Sequence, residues 1–164
     1  MAKETMLTYL DEQLTKRLPD YDVAIDWDVK NHTVELVIRL FAENPTKLHL
    51  DDAQGVASEE EVIEFEDGVL LVDPKKSNYE ATDYLAVYPY EGKKGLRQAE
   101  LDAFVTYLQE VMDEGLSDLL DFLNDDTDQE EAVFELKWDR ERFAAIVREN
   151  EANGQTAYLP YPAY

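Results

Sequence analysis

Apolar and polar positions alternate with a period of two over Tyr21–Phe41. Tyr21, Val23, Ile25 and Trp27 are separated by Asp22, Ala24 and Asp26, and Val34, Leu36, Ile38 and Leu40 by Glu35, Val37 and Arg39. That is the pattern of two half-buried strands joined by a short turn. A two-residue loop at Lys30-Asn31, where Asn tolerates a positive φ, and a four-residue loop from Val29 to His32 give the same register. In it Trp27 faces Val34, Ile25 faces Leu36, Val23 faces Ile38 and Tyr21 faces Leu40, so both apolar rows share one side. On the other side Asp22 meets Arg39, whereas Asp26 meets Glu35 with Asp28 diagonal to it. Like charges placed face to face destabilise a sheet.

The remaining periodicity predicts helices at both ends and further strands between. Leu7, Leu10, Leu14 and Leu18 recur at helical spacing over Lys3–Leu18, and Pro19 ends the run. The polar stretch from Ala42 to Glu61 reads as a long loop. Asp67-Gly68 is a two-residue turn signal that predicts a second hairpin, pairing Phe65 with Leu70 and Ile63 with Val72. Tyr84 to Tyr90 reads as a strand that Pro89 confines to an edge or bulge. From Gly95 onward, Leu101, Phe104, Val105, Leu108, Val111 and Met112 form one broad apolar stripe. Gly115 is placed to end that helix, and Ser117 to cap a shorter one carrying Leu119, Leu120, Phe122 and Leu123. An acidic loop from Asn124 to Glu131 precedes a strand over Val133–Trp138 and a last helix capped by Asp139 and ending near Asn150. The apolar, proline-rich tail Tyr158–Tyr164 has to dock on something. The expected fold is a single α+β domain over residues 1–164. An antiparallel sheet of about five to six strands has an N-terminal helix and C-terminal helices packed on one face. The element order and low pI resemble small acidic secretion chaperones at fold level, and fold alone does not carry function.

Composition narrows the function. The 164 residues suit one domain, large enough to bury roughly 70% of its unfolded surface without staples. No cysteine is present, which removes disulfides, thiolate metal sites and a thiol nucleophile and favours the cytoplasm. The N-terminus lacks a signal-peptide pattern, and no run of about 20 apolar residues could span a bilayer. With 38 acidic and 15 basic residues the formal charge is -23. Such a field opposes direct nucleic-acid binding and contact with anionic lipid, and attracts cations or a basic protein.

Several stretches together resemble a known family. Ala-Ile-Asp-Trp-Asp followed by Lys-Asn-His, Asp-Tyr-Leu-Ala (Asp83–Ala86) followed by Gly-Lys-Lys-Gly-Leu, Asp-Leu-Leu-Asp-Phe-Leu (Asp118–Leu123), Phe-Glu-Leu-Lys-Trp-Asp and the terminal Leu-Pro-Tyr-Pro-Ala-Tyr are similar, in that order, to the uncharacterised family DUF3013 of lactic acid bacteria and their relatives. The likeness spans nearly the whole chain. It implies a cytosolic bacterial protein and brings no activity, ligand or catalytic residue with it.

Two groups of residues are candidates for chemistry. Asp26, Asp28 and Glu35 could bind Mg²⁺, Mn²⁺ or Ca²⁺ through oxygen, or share a proton at a raised pKa; the bland alternative is a chance cluster on a very acidic surface. Lys93 and Lys94, in Gly92-Lys93-Lys94-Gly95, with Arg97 at a helix start, could hold a phosphate or carboxylate. Against that stands a plain strand-to-helix connection with solvated lysines. Asp126-Thr127-Asp128-Gln129-Glu130-Glu131 fails as a calcium loop because Glu131 replaces the required glycine and Lys137 the final glutamate. His32 and His49 have no partner at zinc-ligand spacing. Ser58, Ser77 and Ser117 lie in no nucleophile motif. The leading expectation is a cytoplasmic, non-catalytic binding or adaptor protein that meets a basic protein and uses no cofactor. The alternatives are a divalent-metal module or metal-dependent enzyme using the sheet-face carboxylates, and an anion or nucleotide sensor at Gly92–Gly95.

Overall fold

The computed structural model describes residues 4–43, 50–51, 57–58, 62–124 and 136–162. Helix α1 (Met6–Arg17) starts where Thr5 and Thr8 cap each other. The Thr8 amide donates to Thr5 Oγ1 at 3.3 Å and the Thr5 amide to Thr8 Oγ1 at 2.8 Å, satisfying two N–H groups the helix leaves open. Lys16 and Arg17 sit in its last turn, where the negative end of the helix dipole favours them. Met6, Leu10, Leu14 and Leu18 are buried, with Leu7 at the margin. Each buried apolar side chain contributes about 1.5–3 kcal/mol.

Strands β1 (Asp22–Asp28) and β2 (Thr33–Glu43) pair in the register their alternation predicts, with Trp27 opposite Val34, Ile25 opposite Leu36 and Asp26 opposite Glu35. The loop between them takes its positive φ at His32 (56°). Asn31 has a different task. Its side chain donates to Asn78 O at 2.7 Å and accepts from the Asn78 amide at 2.8 Å, tying the turn to a distant segment.

The stretch Ala42–Glu61 is more structured than its composition suggests. β2 runs on to Glu43, and two short strands, β3 (Leu50–Asp51) and β4 (Ala57–Ser58), pair with each other; His49 lies outside the described residues. The hairpin expected at Asp67-Gly68 does not form. β5 (Val62–Val72) passes straight through both residues and pairs along its length with β2, setting Gly68 opposite Val37. A Cβ on Gly68 would lie 2.2 Å from Glu35 Oε2, so this glycine makes room for a cross-strand side chain.

β6 (Ala86–Pro89) then joins β5 in parallel, giving a mixed four-stranded sheet of order β1-β2-β5-β6. Pro89 has no N–H for the ladder, and Tyr90 N donates to Val72 O instead. A parallel partner requires a crossover. Here it is the connection 73–85, anchored where Ser77 Oγ donates to His32 O.

A further two-stranded pair joins β7 (Leu96–Arg97) to β8 (Tyr158–Leu159). Helix α2 (Gln98–Asn124) runs unbroken through Gly115 and Ser117, so the expected stop and second cap are absent. A Cβ on Gly115 would meet Leu136 Cδ2 at 2.4 Å and Leu40 Cδ1 at 3.2 Å, so this glycine too serves a close approach. Of the strand expected over Val133–Trp138, Leu136 to Trp138 is irregular; its earlier part and the acidic run 125–131 lie outside the described residues. Helix α3 (Arg140–Ala152) is capped by Asp139, whose Oδ1 accepts from the amides of Glu141 and Arg142. Phe104, Leu108 and Met112 of α2 close over the apolar sheet face with α1 and α3 in one core. Among the described residues no helix is long and apolar enough to cross a membrane.

Candidate functional site

The sheet face turned away from the helices carries the carboxylates. Asp26 and Glu35 are directly opposed, and Glu35 folds over Gly68. Burial first, then the charges of Asp26, Glu66 and Asp67, hold the Glu35 pKa above its ordinary value of 4.5. Tyr84, in the crossover, is close enough for Glu35, Asp83 and Asp26 to add to the upward push that burial gives its hydroxyl. Arg39 is the cation of this face, bonded to Glu66 at 2.7 Å and lying 3.5 Å from both Asp22 and Glu64. Asp28 does not join the cluster as predicted. Its Oδ1 accepts from the Asn31 amide at 3.2 Å, inside the turn. Two of the three expected ligands therefore come together, and among the described residues no group of three or more His, Asp or Glu side chains is arranged to hold a metal ion. What remains can retain a proton on Glu35 above the usual carboxylate range and attract a positive group.

The basic island is organised differently from an open anion loop. Gly92–Lys94 forms a single 3-10 turn closed by Gly95 at φ 75°. Its backbone is already engaged: Glu91 N donates to Gly95 O, Gly95 N to Gly92 O and Tyr161 N to Lys93 O. Lys94 Nζ lies 5.3 Å above the Tyr158 ring, a cation–π contact. Arg97 points elsewhere, bonded to Glu100 at 3.0 Å and to Glu151. The positive end of α2 meets the chain's own carboxylate, since Arg97 N donates to Glu100 Oε1 at 3.2 Å. Lys93, Lys94 and Arg97 are thus not gathered on one ligand position. A Cβ on Gly95 would lie 2.1 Å from Leu159 O, so the loop is shaped to receive the C-terminal tail. That tail docks as its composition requires. Pro160 O accepts from Met6 N at 2.9 Å, and the Tyr161 ring stacks on Tyr90 with centroids 4.9 Å apart and accepts at its hydroxyl from Trp27 Nε1 at 2.6 Å.

Two buried carboxylates belong to the scaffold. Asp102 accepts from Tyr9 Oη at 2.5 Å and from Gln155, and burial followed by that bond pushes the Tyr9 pKa up to about 12. Glu100 accepts from Tyr88 Oη, which burial also pushes upward. These bonds join α1 and β6 to α2.

One feature escaped the sequence. Between β6 and α3 lies a cleft of about 420 Å³ lined by Ala86, Val87 and Tyr88 on one side and by Trp138, Arg140, Phe143, Ala144, Val147 and Arg148 on the other. Its floor is aromatic. Tyr88 meets Phe143 edge-on at 5.3 Å, and Trp138 lies 5.5 Å from Phe143. Arg140, Ala144 and Arg148 follow a spacing of four, which the sequence displays, and only the packing of α3 places that stripe beside β6.

No curated protein matches this chain. A crystal structure titled conserved protein of unknown function, from Enterococcus faecalis, is similar at 50% identity, covering 99% of this chain and 98% of that one with a TM-score of 0.89. The family described as Protein of unknown function (DUF3013) matches residues 1–163. With its whole length accounted for in this way, the chain belongs to the DUF3013 family.

Proposed function

We propose that this is a cytosolic, non-catalytic binding protein whose carboxylate-bearing sheet face receives a basic protein partner. The observation that carries the reading is the imbalance around Glu35. Asp26 opposes it directly, burial and then the charges of Asp26, Glu66 and Asp67 hold its pKa above the ordinary value, and Arg39, farther along the face, is shared among Asp22, Glu64 and Glu66. A lysine or arginine brought beside Asp26 and Glu35 relieves that repulsion. Such complementarity acts chiefly on association rate and specificity. A bare divalent ion is the less favoured occupant, because Asp28 is engaged in the turn.

The test is chemical cross-linking at low salt in a bacterial lysate, with mass spectrometry to locate the linked residues. Lysines of one recurrent partner should join the β1–β2–β5 face, and the Asp26→Asn, Glu35→Gln double variant should lose the product. No recurrent partner, or one equally linked to the variant, overturns the reading. A melting temperature raised by Mg²⁺, Mn²⁺ or Ca²⁺ beyond an ionic-strength control, and not in Asp26→Asn, would favour the metal instead.

A further inference from the structure

The cleft between β6 and α3 has three properties that converge. First, β6 is the last strand of the sheet, and among the described residues no strand pairs with its outer side. Leu85 N donates to Gly68 O, and the two-residue alternation of a parallel ladder then turns the N–H and C=O of Ala86 and Tyr88 outward. Second, the far wall presents Trp138, Phe143, Ala144 and Val147 between two rim arginines, so an entering chain finds both a backbone template and a surface for side chains. Third, the charge of the cleft opposes that of the molecule. Arg140 and Arg148 are both exposed on its rim, and neither forms an ion pair with a described side chain, in a protein of net charge -23. Arg39, Arg97 and Arg142, by contrast, are each bonded to carboxylates.

We infer that this cleft binds an extended acidic peptide segment of a partner protein, added as a fifth strand beside β6. Main-chain hydrogen bonds to Ala86 and Tyr88 supply affinity, and side-chain contacts with α3 supply selectivity. Spacing sets the recognised pattern. Arg140 and Arg148 are eight residues apart, about 12 Å along a helix. Residues i and i+4 of an extended chain point the same way and lie about 13 Å apart. The segment therefore carries two acidic residues four positions apart on its α3 side, with a small residue between them above Ala144. This surface is separate from the carboxylate face and its partner has the opposite charge.

The experiment uses the full chain and a fluorescein-labelled peptide, Thr-Glu-Val-Thr-Val-Glu-Thr, with anisotropy read at low salt. Saturable binding is expected, weakened about tenfold or more in the Arg140→Glu, Arg148→Glu variant, since two rim ion pairs become repulsions. Both positions are exposed, and an unchanged circular dichroism spectrum and melting temperature will show that the variant is folded. Replacing both glutamates by lysine should abolish binding. Methylating the backbone nitrogens of alternate peptide residues should abolish it in one phase of the alternation and spare it in the other, as strand addition requires. In amide NMR spectra the resonances of Ala86 and Tyr88 should shift on titration. Absence of binding, equal binding of the lysine peptide, indifference to the arginine reversals, or equal effects of both methylation phases each overturns the proposal. So does a dimer in sedimentation that the arginine reversals dissolve, because the occupant would then be a second copy of this chain.

Discussion

β1 and β6 are the two outer strands of one sheet, yet they are built on opposite rules. β1 has seven residues, three of them aspartates, and its Trp27 is pinned from the inner side by the tail through Tyr161. Charges along a rim and a covering segment are the usual protections of an exposed strand against unwanted pairing. β6 has four residues, Ala86, Val87, Tyr88 and Pro89, with no charge among them, and it looks onto an aromatic cleft rimmed by arginine. The difference teaches that in so acidic a protein the β6 rim is the one left without charge, whereas the β1 rim carries charge of the molecule's own sign.

The largest test of that contrast is removal of the tail anchor. Tyr161→Ala deletes a buried ring stacked on Tyr90 and bonded to Trp27, and truncations of this kind cost about 3–5 kcal/mol. The melting temperature should drop by roughly 6–20 °C, given about 2–4 °C per kcal/mol for a chain of this size. Hydrogen exchange should quicken in β1 more than in β6. Equal loss of protection in both strands would break the comparison. Gly95→Ala acts on the same tail from the loop side. The new Cβ meets backbone atoms of Leu159, Pro160 and Tyr161 in a left-handed conformation, and urea titration should show a loss of at least about 2 kcal/mol. The Lys94–Tyr158 contact should loosen with it.

The smallest effect belongs to the carboxylate face. The folded protein holds a proton on Glu35 more tightly than the unfolded chain does. Its contribution to stability is therefore full below the ordinary pKa of 4.5 and is lost as pH rises through the higher folded value. Glu35→Gln keeps the shape over Gly68 and removes the charge. It should match the parent at acid pH and exceed it at neutral pH by about 0.2–1 kcal/mol, the range for facing pairs in a sheet. A variant less stable at neutral pH would mean that Glu35 is neutralised by a neighbour, which would also weaken the proposed binding face.

The hairpin register was legible because strand periodicity leaves one arrangement that buries Trp27, Ile25, Val34 and Leu36 together, and the helix cap at Asp139 is local chemistry. Two misreadings, at Gly68 and Gly115, share one cause. A glycine that turns the chain and a glycine that admits a distant atom look alike in sequence, since Glu35 and Leu136 reach them only after folding. The clash of Asp26 with Glu35 followed from the register, while Asp28 was drawn into the turn by a bond to Asn31 that periodicity does not encode.

From the order of residues alone came the α+β class, the faces of β1 and β2, the acidic charge and the need of the tail for a docking place. Tertiary structure alone decided that β6 runs parallel as the last described strand of the sheet, that α3 sets Arg140 and Arg148 beside it, and that the Gly92–Gly95 loop holds the segment Leu159–Tyr161. Local preferences act within a few residues. Which surfaces meet depends on how the whole apolar set can be buried at once, and that is settled only when the chain closes on itself.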